Sequence, residues 1–356
     1  MTVPAPYMHW AKSRPSARFD LAISNMLGPS IEDLPGAAAA LSLEGRNDNG
    51  YPPLLEAIAR RYGVAPDRVT SAQGASGANF LVCAALLSPG DDVLVERPAY
   101  DPLMGSARLF GARVVHFDRL FDEGFALDPE RVRDAITPRT RLIIITSPHN
   151  PSGVVARLDQ LEEVGRMAEA QGALVVVDEV YLDTVGGALP TAADLGDTFL
   201  VTSSLTKSYG LAGLRCGWIL SSPAIAERLR RARDLVDGSG SIVAERLSVL
   251  AFEHLDALLA RARTLLATNR PLALDFLRSR PELSFVEPGG GTVVFPRLET
   301  MDDATPFVER LLHDHDTAVA PGRFFQAPRH FRLGFSGETA ALRGGLAAIG
   351  AALDRG

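Results

Sequence analysis

Lysine is nearly absent from this chain of 356 residues, in which almost every cationic side chain is arginine. A guanidinium stays protonated in proteins and cannot attack a carbonyl, whereas a lysine amine can do so once its pKa falls. Lys12 lies in the polar stretch AKSRPSARFD, and Lys207 lies among small, hydroxylated and glycine residues in SSLTKSYGLAGLRCGW. Lys12 is therefore predicted to be a solvated charge. Lys207 is the candidate for covalent amine chemistry, with an ordinary loop cation as the alternative.

Cysteine and long apolar runs are also scarce. Cys83 and Cys216 are the two cysteines, and they provide neither a disulfide framework nor a cluster of metal ligands. No apolar run is long enough to span a bilayer, and the first residues lack the basic and apolar regions of a secretory signal. The net charge of −7 disfavours a nucleic-acid-binding surface. We expect a cytoplasmic chain that binds no metal, membrane or nucleic acid.

Apolar segments typical of buried strands alternate with helical segments in the first two thirds of the chain. Strands are predicted at 92–96, 112–117, 141–146, 173–178, 199–204 and 216–220, and helices at 52–63 and 78–88. This alternation predicts an α/β fold with a mainly parallel sheet covered by helices. After about residue 238 a long amphipathic helical region leads to short strands. We therefore expect a large domain over 41–237, a smaller α/β domain over 238–356, and an N-terminal segment, 1–40, that packs with the small domain.

Polar side chains lie at or just beyond the ends of three predicted strands. Asn150, Asp178 and Lys207 occupy these positions, and ligands of such sheets collect beyond the carboxyl ends of the strands. Ser204 and Arg215 flank Lys207, and a hydroxyl and a guanidinium are natural phosphate ligands. Taken alone, Asp178 also fits a helix cap or turn, and Asn150-Pro151 fits an ordinary turn.

Six segments together resemble the class I/II aminotransferases, which are pyridoxal-phosphate enzymes of fold type I. They are QGASGAN (73–79), ERPAY (96–100), SPHNPSG (147–153), VVVDEVY (175–181), SSLTKSYGLAGLRCGW (203–218) and FRLGF (331–335), in family order and at family-like spacing. The resemblance implies the fold-type I architecture, pyridoxal 5'-phosphate as the cofactor, and a homodimer with its active site at the subunit interface.

The resemblance also implies roles for residues around the cofactor ring. Lys207 would form an aldimine with the cofactor and then move the proton as a base. Asp178 would pair with the pyridine nitrogen, so that the ring can accept electrons. Asn150 and Tyr181 would hydrogen-bond the ring hydroxyl oxygen. Tyr100 would stack on the ring, with packing against the core as its alternative.

The remaining implied roles concern the phosphate and the substrate. Backbone N–H groups of Gly74, Ala75 and Ser76 at a helix start would bind the phosphate, together with Ser204 and Arg215. Arg332, with Asn150, would bind the substrate α-carboxylate through a two-pronged contact. A guanidinium embedded in an apolar strand needs an anionic partner, which supports this role.

The implied function is amino transfer between an amino acid and a 2-oxo acid by a ping-pong mechanism. The same residues also serve lyases, decarboxylases, cyclases and oxidases, which therefore remain alternatives. A non-catalytic alternative, the sensor domain of a transcription regulator, is disfavoured by the acidic composition and by the lack of a DNA-binding domain before Met1. Candidates for binding a distal substrate carboxylate, each with a surface charge as its alternative, are Arg14, Arg46 and Arg323.

Two segments depart from the family pattern. Many members carry a tyrosine that reaches the partner's phosphate, but here LEGRNDNGYPPL places Gly45 or Arg46 near that position, with Tyr51 offset from it. In the N-terminal segment LAISNMLGPS, Asn25 lies near a usual glycine. We therefore expect the entrance of the site to be reshaped there.

Overall fold

The computed structural model of the chain describes residues 4–186 and 190–355. Its strands are β1 (Phe19–Asp20), β2 (Val69–Gln73), β3 (Asp92–Arg97), β4 (Arg113–Asp118), β5 (Thr140–Thr146), β6 (Leu174–Asp178), β7 (Phe199–Ser204), β8 (Cys216–Leu220), β9 (Leu283–Ser284), β10 (Val293–Val294), β11 (Arg297–Leu298), β12 (Thr317–Ala318), β13 (Ala320–Pro321) and β14 (Phe331–Gly334). Its α-helices are α1 (Pro6–Ser13), α2 (Ala37–Ala40), α3 (Pro52–Tyr62), α4 (Gly74–Leu86), α5 (Asp101–Leu109), α6 (Pro129–Ala135), α7 (Leu158–Gln171), α8 (Pro223–Asp234), α9 (Ile242–Glu253), α10 (Leu255–Arg278), α11 (Thr305–His315) and α12 (Thr339–Leu353). Within these described residues, no helix is long and apolar enough to cross a bilayer.

The large sheet has the strand order β2-β8-β7-β6-β5-β3-β4. Strands β3 to β7 are mutually parallel, and β8 runs antiparallel to both β7 and β2. The predicted mainly parallel sheet is confirmed, with each predicted strand present. Strand β2 was not predicted, because its residues Thr70 and Ser71 interrupt the apolar pattern although both are buried.

Helices cover both faces of this sheet. Along β5, Ile143 and Ile145 face one apolar cluster, which α3, α6, α7 and α9 complete. Leu142 and Ile144 face the other cluster, which α4, α5 and α8 complete. Side chains alternate between faces along a strand, so a strand buried on both faces has a continuous apolar sequence. This burial explains why the central strands were predictable.

A third apolar cluster forms the core of the smaller α/β region. It contains Leu266 and Leu274 of α10, together with residues of α11, α12 and β14. The N-terminal segment joins it: β1 pairs in parallel with β12, and Leu21 and Met26 are part of the cluster. Helix α9 and the start of α10 instead pack in the first cluster of the large sheet.

Candidate active site

A cavity of about 410 Å³ lies at the carboxyl ends of β5, β6 and β7. The cavity walls bring together nine of the predicted site residues, namely Ala75, Ser76, Tyr100, Asn150, Asp178, Tyr181, Ser204, Lys207 and Arg215. Gly74 and Arg332 do not line this cavity; they lie directly behind wall residues that they contact. The parallel sheet explains the convergence, because strands of one direction end at the same edge.

Lys207 lies three residues beyond the end of β7, and its amine reaches the N-terminal segment. Its Nζ donates hydrogen bonds to Ser24 Oγ at 2.9 Å and to Asn25 Oδ1 at 2.6 Å. Burial lowers the pKa of the Lys207 amine to about 8, and the charges of Arg332 and Arg215 act in the same direction. A substantial neutral fraction near neutral pH is what amine chemistry requires.

Asp178 is the last residue of β6, and its carboxylate is buried. It accepts hydrogen bonds, but in the described part of the chain no cation lies within ion-pair distance of it. Asn79 Nδ2 donates to its Oδ2 at 2.7 Å, and the Val180 backbone N–H donates to Oδ1 at 3.2 Å. Thr202 Oγ1 donates to Asn79 Oδ1 at 2.9 Å, which orients the amide N–H towards Asp178. Burial raises the pKa of Asp178 despite these hydrogen bonds. A cationic ligand group would therefore be stabilised beside this carboxylate.

The cavity has an anion-binding end at the first turn of α4. Gly74 begins this helix with φ +71°, and a Cβ at Gly74 would lie 2.4 Å from Arg215 Nη2. Only glycine permits both this backbone conformation and the close approach of the guanidinium. Ser204 lines the same end, and the buried Thr206 Oγ1 has no hydrogen-bond partner among the described residues. Helix N–H groups, hydroxyls and a guanidinium together suit a phosphate.

Arg332 on β14 is buried, and it lies behind Asn150 and Tyr7. Its Nη1 donates to Asn150 Oδ1 at 3.0 Å, and its Nη2 donates to Tyr7 Oη at 2.6 Å and to the Ala22 carbonyl at 3.0 Å. Its buried Nε has no partner among the described residues, and no described carboxylate pairs with the guanidinium. A buried cation without an anionic partner is costly, so this side chain is suited to an anionic ligand.

Two tyrosines complete the walls. Tyr181 is buried, and its hydroxyl has no hydrogen-bond partner among the described residues. Tyr100 precedes α5, and its ring packs edge-on against Tyr7 with centroids 5.5 Å apart. The Tyr100 hydroxyl lies 3.1 Å from Met8 Sδ. An unsatisfied buried hydroxyl such as that of Tyr181 indicates a place for a polar ligand atom.

Besides Lys12, seven wall residues were not predicted as contributors to the site. Five are polar, namely Tyr7, Ser24, Asn25, Asn79 and Thr206, and two are apolar, namely Met8 and Val180. Asn25 and Asn79 had a detectable signal, since both lie within or beside segments already identified. Tyr7 had none, because α1 is distant in sequence from every motif. Lys12 is exposed as predicted, yet it also lines the cavity.

The three arginines considered for a distal carboxylate do not line this cavity. Arg14 pairs with Asp20 at 2.5 Å, and Arg46 pairs with Asp48 at 2.8 Å. Arg323 lies 3.7 Å from Glu309. Within the described chain each of them is therefore compensated by a nearby carboxylate outside the cavity.

Comparison with known proteins identifies the family. The family profile described as aminotransferase class I and II matches residues 18–349. The chain belongs to this family. It is 37% identical over 301 residues to capreomycidine synthase of Streptomyces vinaceus, covering 83% of this chain and 77% of that protein. It is 32% identical over 294 residues to the arginine–pyruvate transaminase of Pseudomonas aeruginosa, covering 79% and 74%.

The fold agrees with this assignment. A pyridoxal-phosphate-dependent aminotransferase from Streptococcus suis superposes with a TM-score of 0.94 at 27% identity, over 100% of this chain and 99% of that chain. The resemblance and the fold-type I architecture are thereby confirmed. The protein is a pyridoxal-phosphate-dependent aminotransferase.

The cavity residues fit this cofactor. The hydroxyls of Tyr181 and Thr206 have no hydrogen-bond partner in the described part of the chain and are available to a ligand. Gly74 leaves room for Arg215 at the anion-binding end. The buried Asp178 carboxylate matches a cationic ring nitrogen, and Lys207 supplies the amine in the same cavity.

Proposed function

We propose that this aminotransferase moves an amino group between an amino acid and a 2-oxo acid, with Lys207 attaching the cofactor and moving the proton. The observation that carries the proposal is one cavity holding the Lys207 amine, the Asp178 carboxylate and the Arg215 guanidinium. With a pKa of about 8, roughly a tenth of the amine is neutral at pH 7, enough to act as a base.

We assign the cofactor ring to the residues between β5 and β7. When bound, pyridoxal phosphate supplies an aldehyde carbon and an electron-accepting ring. Asp178 would hold a positive charge at the ring nitrogen, because its buried carboxylate has no cationic partner among the described residues. Tyr181 and Asn150 would donate hydrogen bonds to the ring oxygen, and Tyr100 would cover one face of the ring.

We assign the phosphate to the α4 end of the cavity and the substrate carboxylate to Arg332. Gly74, Ala75 and Ser76 would donate hydrogen bonds from their backbone N–H groups. Ser204 and Arg215 would donate from their side chains at the same end of the cavity. Arg332 and Asn150 would orient the substrate α-carboxylate, because the guanidinium retains an unused Nε–H donor and no anionic partner.

A second candidate is a different reaction of the bound amino acid, by a lyase, decarboxylase, cyclase or oxidase, and the observation that favours it is the 37% identity to a protein named a synthase and not an aminotransferase. A single half-reaction without 2-oxo acid acceptor separates the two. Amino transfer yields one equivalent of 2-oxo acid per active site and then stops. Continuous turnover that releases a cyclised product, ammonia or carbon dioxide would instead support the cyclase, lyase or decarboxylase alternatives.

We also propose a cytoplasmic homodimer. Leu43 and Leu235 are 89% and 91% exposed, and their segments are joined by a 2.7 Å hydrogen bond from Asn47 Nδ2 to the Gly240 carbonyl. A second copy of the chain is the proposed partner that would cover these two exposed leucines on neighbouring segments. The free buried thiols of Cys83 and Cys216 are consistent with a reducing compartment. Light scattering tests the dimer: a fully active monomer would refute it.

The role of Lys207 is tested by chemical fixation. Borohydride treatment of the holoenzyme should leave the cofactor covalently bound to the peptide that contains Lys207, and Lys207→Ala should abolish both this label and the imine absorbance. Label on the Lys12 peptide instead would refute the assignment. The chain has two lysines, so peptide mapping distinguishes the outcomes without ambiguity.

A further inference from the structure

The amine of Lys207 is held by two adjacent residues of the N-terminal segment. Ser24 Oγ and Asn25 Oδ1 accept its hydrogen bonds at 2.9 Å and 2.6 Å, and among the described residues no other group accepts from Nζ. Asn25 also lies in the N-terminal segment that departs from the family pattern, near a usual glycine. The Asn25 side chain therefore provides a hydrogen-bond acceptor for the Lys207 amine that a glycine could not provide.

We propose that Ser24 and Asn25, here named the Ser24–Asn25 clasp, are positioning residues that fix the location and tune the basicity of the Lys207 amine. The inference rests on the proposed role of Lys207. It adds a function for a segment more than 180 residues away in sequence, whose side chains touch the amine directly.

The clasp is itself rigidly held. Thr292 Oγ1 donates to the Ser24 carbonyl at 2.7 Å, and Ser336 Oγ donates to the Asn25 carbonyl at 2.8 Å. Thr292 and Ser336 are fully buried. The backbone N–H of the next residue, Met26, donates to the Lys207 carbonyl at 3.1 Å. Side chains on a fixed backbone can hold the amine in one place, as a positioning role requires.

The two side chains have different hydrogen-bonding capacities. The Asn25 oxygen can only accept, so it holds an N–H of the amine in either protonation state. The Ser24 hydroxyl accepts from the ammonium but can also donate to the lone pair of the neutral amine. The clasp can therefore retain the Lys207 amine while its proton is taken up and released.

The charged and titratable groups around Lys207 come from several elements. Arg332 on β14 and Arg215 before β8 disfavour its charged form, whereas Asp178 and the Tyr7 hydroxyl favour it. The Tyr181 ring lies 5.8 Å from Nζ. The clasp supplies neutral acceptors that stabilise the ammonium against repulsion by Arg332 and Arg215. Its removal should therefore lower the pKa of the Lys207 amine below about 8.

The near-absence of lysine makes this measurable in the full-length, cofactor-free chain. Trace acetic anhydride acylates neutral amines, and mass spectrometry of the Lys207 peptide against pH gives its midpoint, with Lys12 as an internal reference. Asn25→Ala should lower the Lys207 midpoint by about one pH unit, because the acceptor-only amide oxygen binds the ammonium more strongly than the neutral amine. Ser24→Ala should lower it by less, because the Ser24 hydroxyl can hydrogen-bond both forms. The Lys12 midpoint should not move, and Asn49→Ala, at an exposed asparagine, should change neither midpoint.

The isosteric variant Asn25→Asp tests the same contact in the opposite direction. A carboxylate beside the ammonium should raise the Lys207 midpoint by at least about one pH unit. In the holoenzyme, Asn25→Ala should shift the pH dependence of the cofactor absorbance and lower kcat with little change in KM. An unchanged Lys207 midpoint in both Asn25→Asp and Asn25→Ala would overturn the clasp. Borohydride label absent from Lys207, with the midpoints shifted as expected, would refute the proposed function and leave the clasp standing.

Discussion

Replacing Arg332 should weaken the binding of amino and 2-oxo acids while sparing the cofactor. Arg332 is almost fully buried on β14, and its guanidinium contacts Asn150, Tyr7 and the Ala22 carbonyl but no described carboxylate. Its charge is therefore stabilised by neutral acceptors alone. A substrate carboxylate would supply the missing negative charge and accept from the unused Nε–H.

The expected magnitude follows from this environment. Truncating one member of a buried, hydrogen-bonded charge pair costs about 2–5 kcal/mol of binding free energy, which corresponds to roughly 30-fold to several thousand-fold weaker binding. Arg332→Lys should recover little of this loss, because an ammonium cannot reproduce the planar fork. Cofactor affinity should stay within about threefold, because the Arg332 guanidinium hydrogen-bonds neither the proposed phosphate ligands nor Asp178.

The assay is titration of each holoenzyme variant with amino acid and with 2-oxo acid, followed by cofactor absorbance, alongside a cofactor dissociation constant. Arg329→Ala is the matched control, since Arg329 precedes the same strand but is partly exposed and pairs with Glu299 at 3.3 Å. Substrate affinity in Arg332→Ala within a few-fold of wild type would refute the reasoning. Equal losses of substrate and cofactor affinity would show that Arg332 is structural instead.

Three further predictions concern stability and the anion-binding end. Gly74→Ala should weaken cofactor binding by at least about tenfold, because the Cβ of the alanine would displace the Arg215 guanidinium. Fluorescence titration with pyridoxal phosphate measures the affinity, and an unchanged affinity would contradict the prediction. Glu96→Ala should lower the free energy of unfolding by about 3–5 kcal/mol, because Glu96 and Arg119 form a fully buried pair at 2.8 Å. Denaturant unfolding measures this loss, and a value below about 1 kcal/mol would contradict the prediction. Burial lowers the pKa of His330 to about 4, so below pH 6.5 the unfolded chain takes up a proton that the folded chain does not, and stability falls by roughly 3 kcal/mol between pH 6.5 and 4. His330→Phe should flatten this part of the pH–stability profile, and an unchanged slope would contradict the assignment.

Most of the cavity wall was predictable because it is built at strand ends. Parallel strands buried on both faces have continuous apolar sequences, as in β5 and β6, so polar residues such as Asp178 and Asn150 are conspicuous where the strands stop. Whether these residues meet depends only on strand direction, which the alternation of strands and helices also indicates. The strand β2 was missed because Ser71 and Thr70 are buried against polar partners rather than apolar ones.

What the sequence determined by itself is the sheet, the family and the cavity residues at the strand ends, since each depends on local pattern or on motifs in register. Only the tertiary structure determined how the N-terminal segment completes the site. Tyr7 reaches Arg332 across 325 positions, and Asn25 reaches Lys207 across 182. No periodicity or motif connects residues so far apart, because their contact is produced by the pairing of β1 with β12 and the packing of α1 against α5. The same reason applies to Asn79, whose amide is oriented towards Asp178 by a hydroxyl from a different strand.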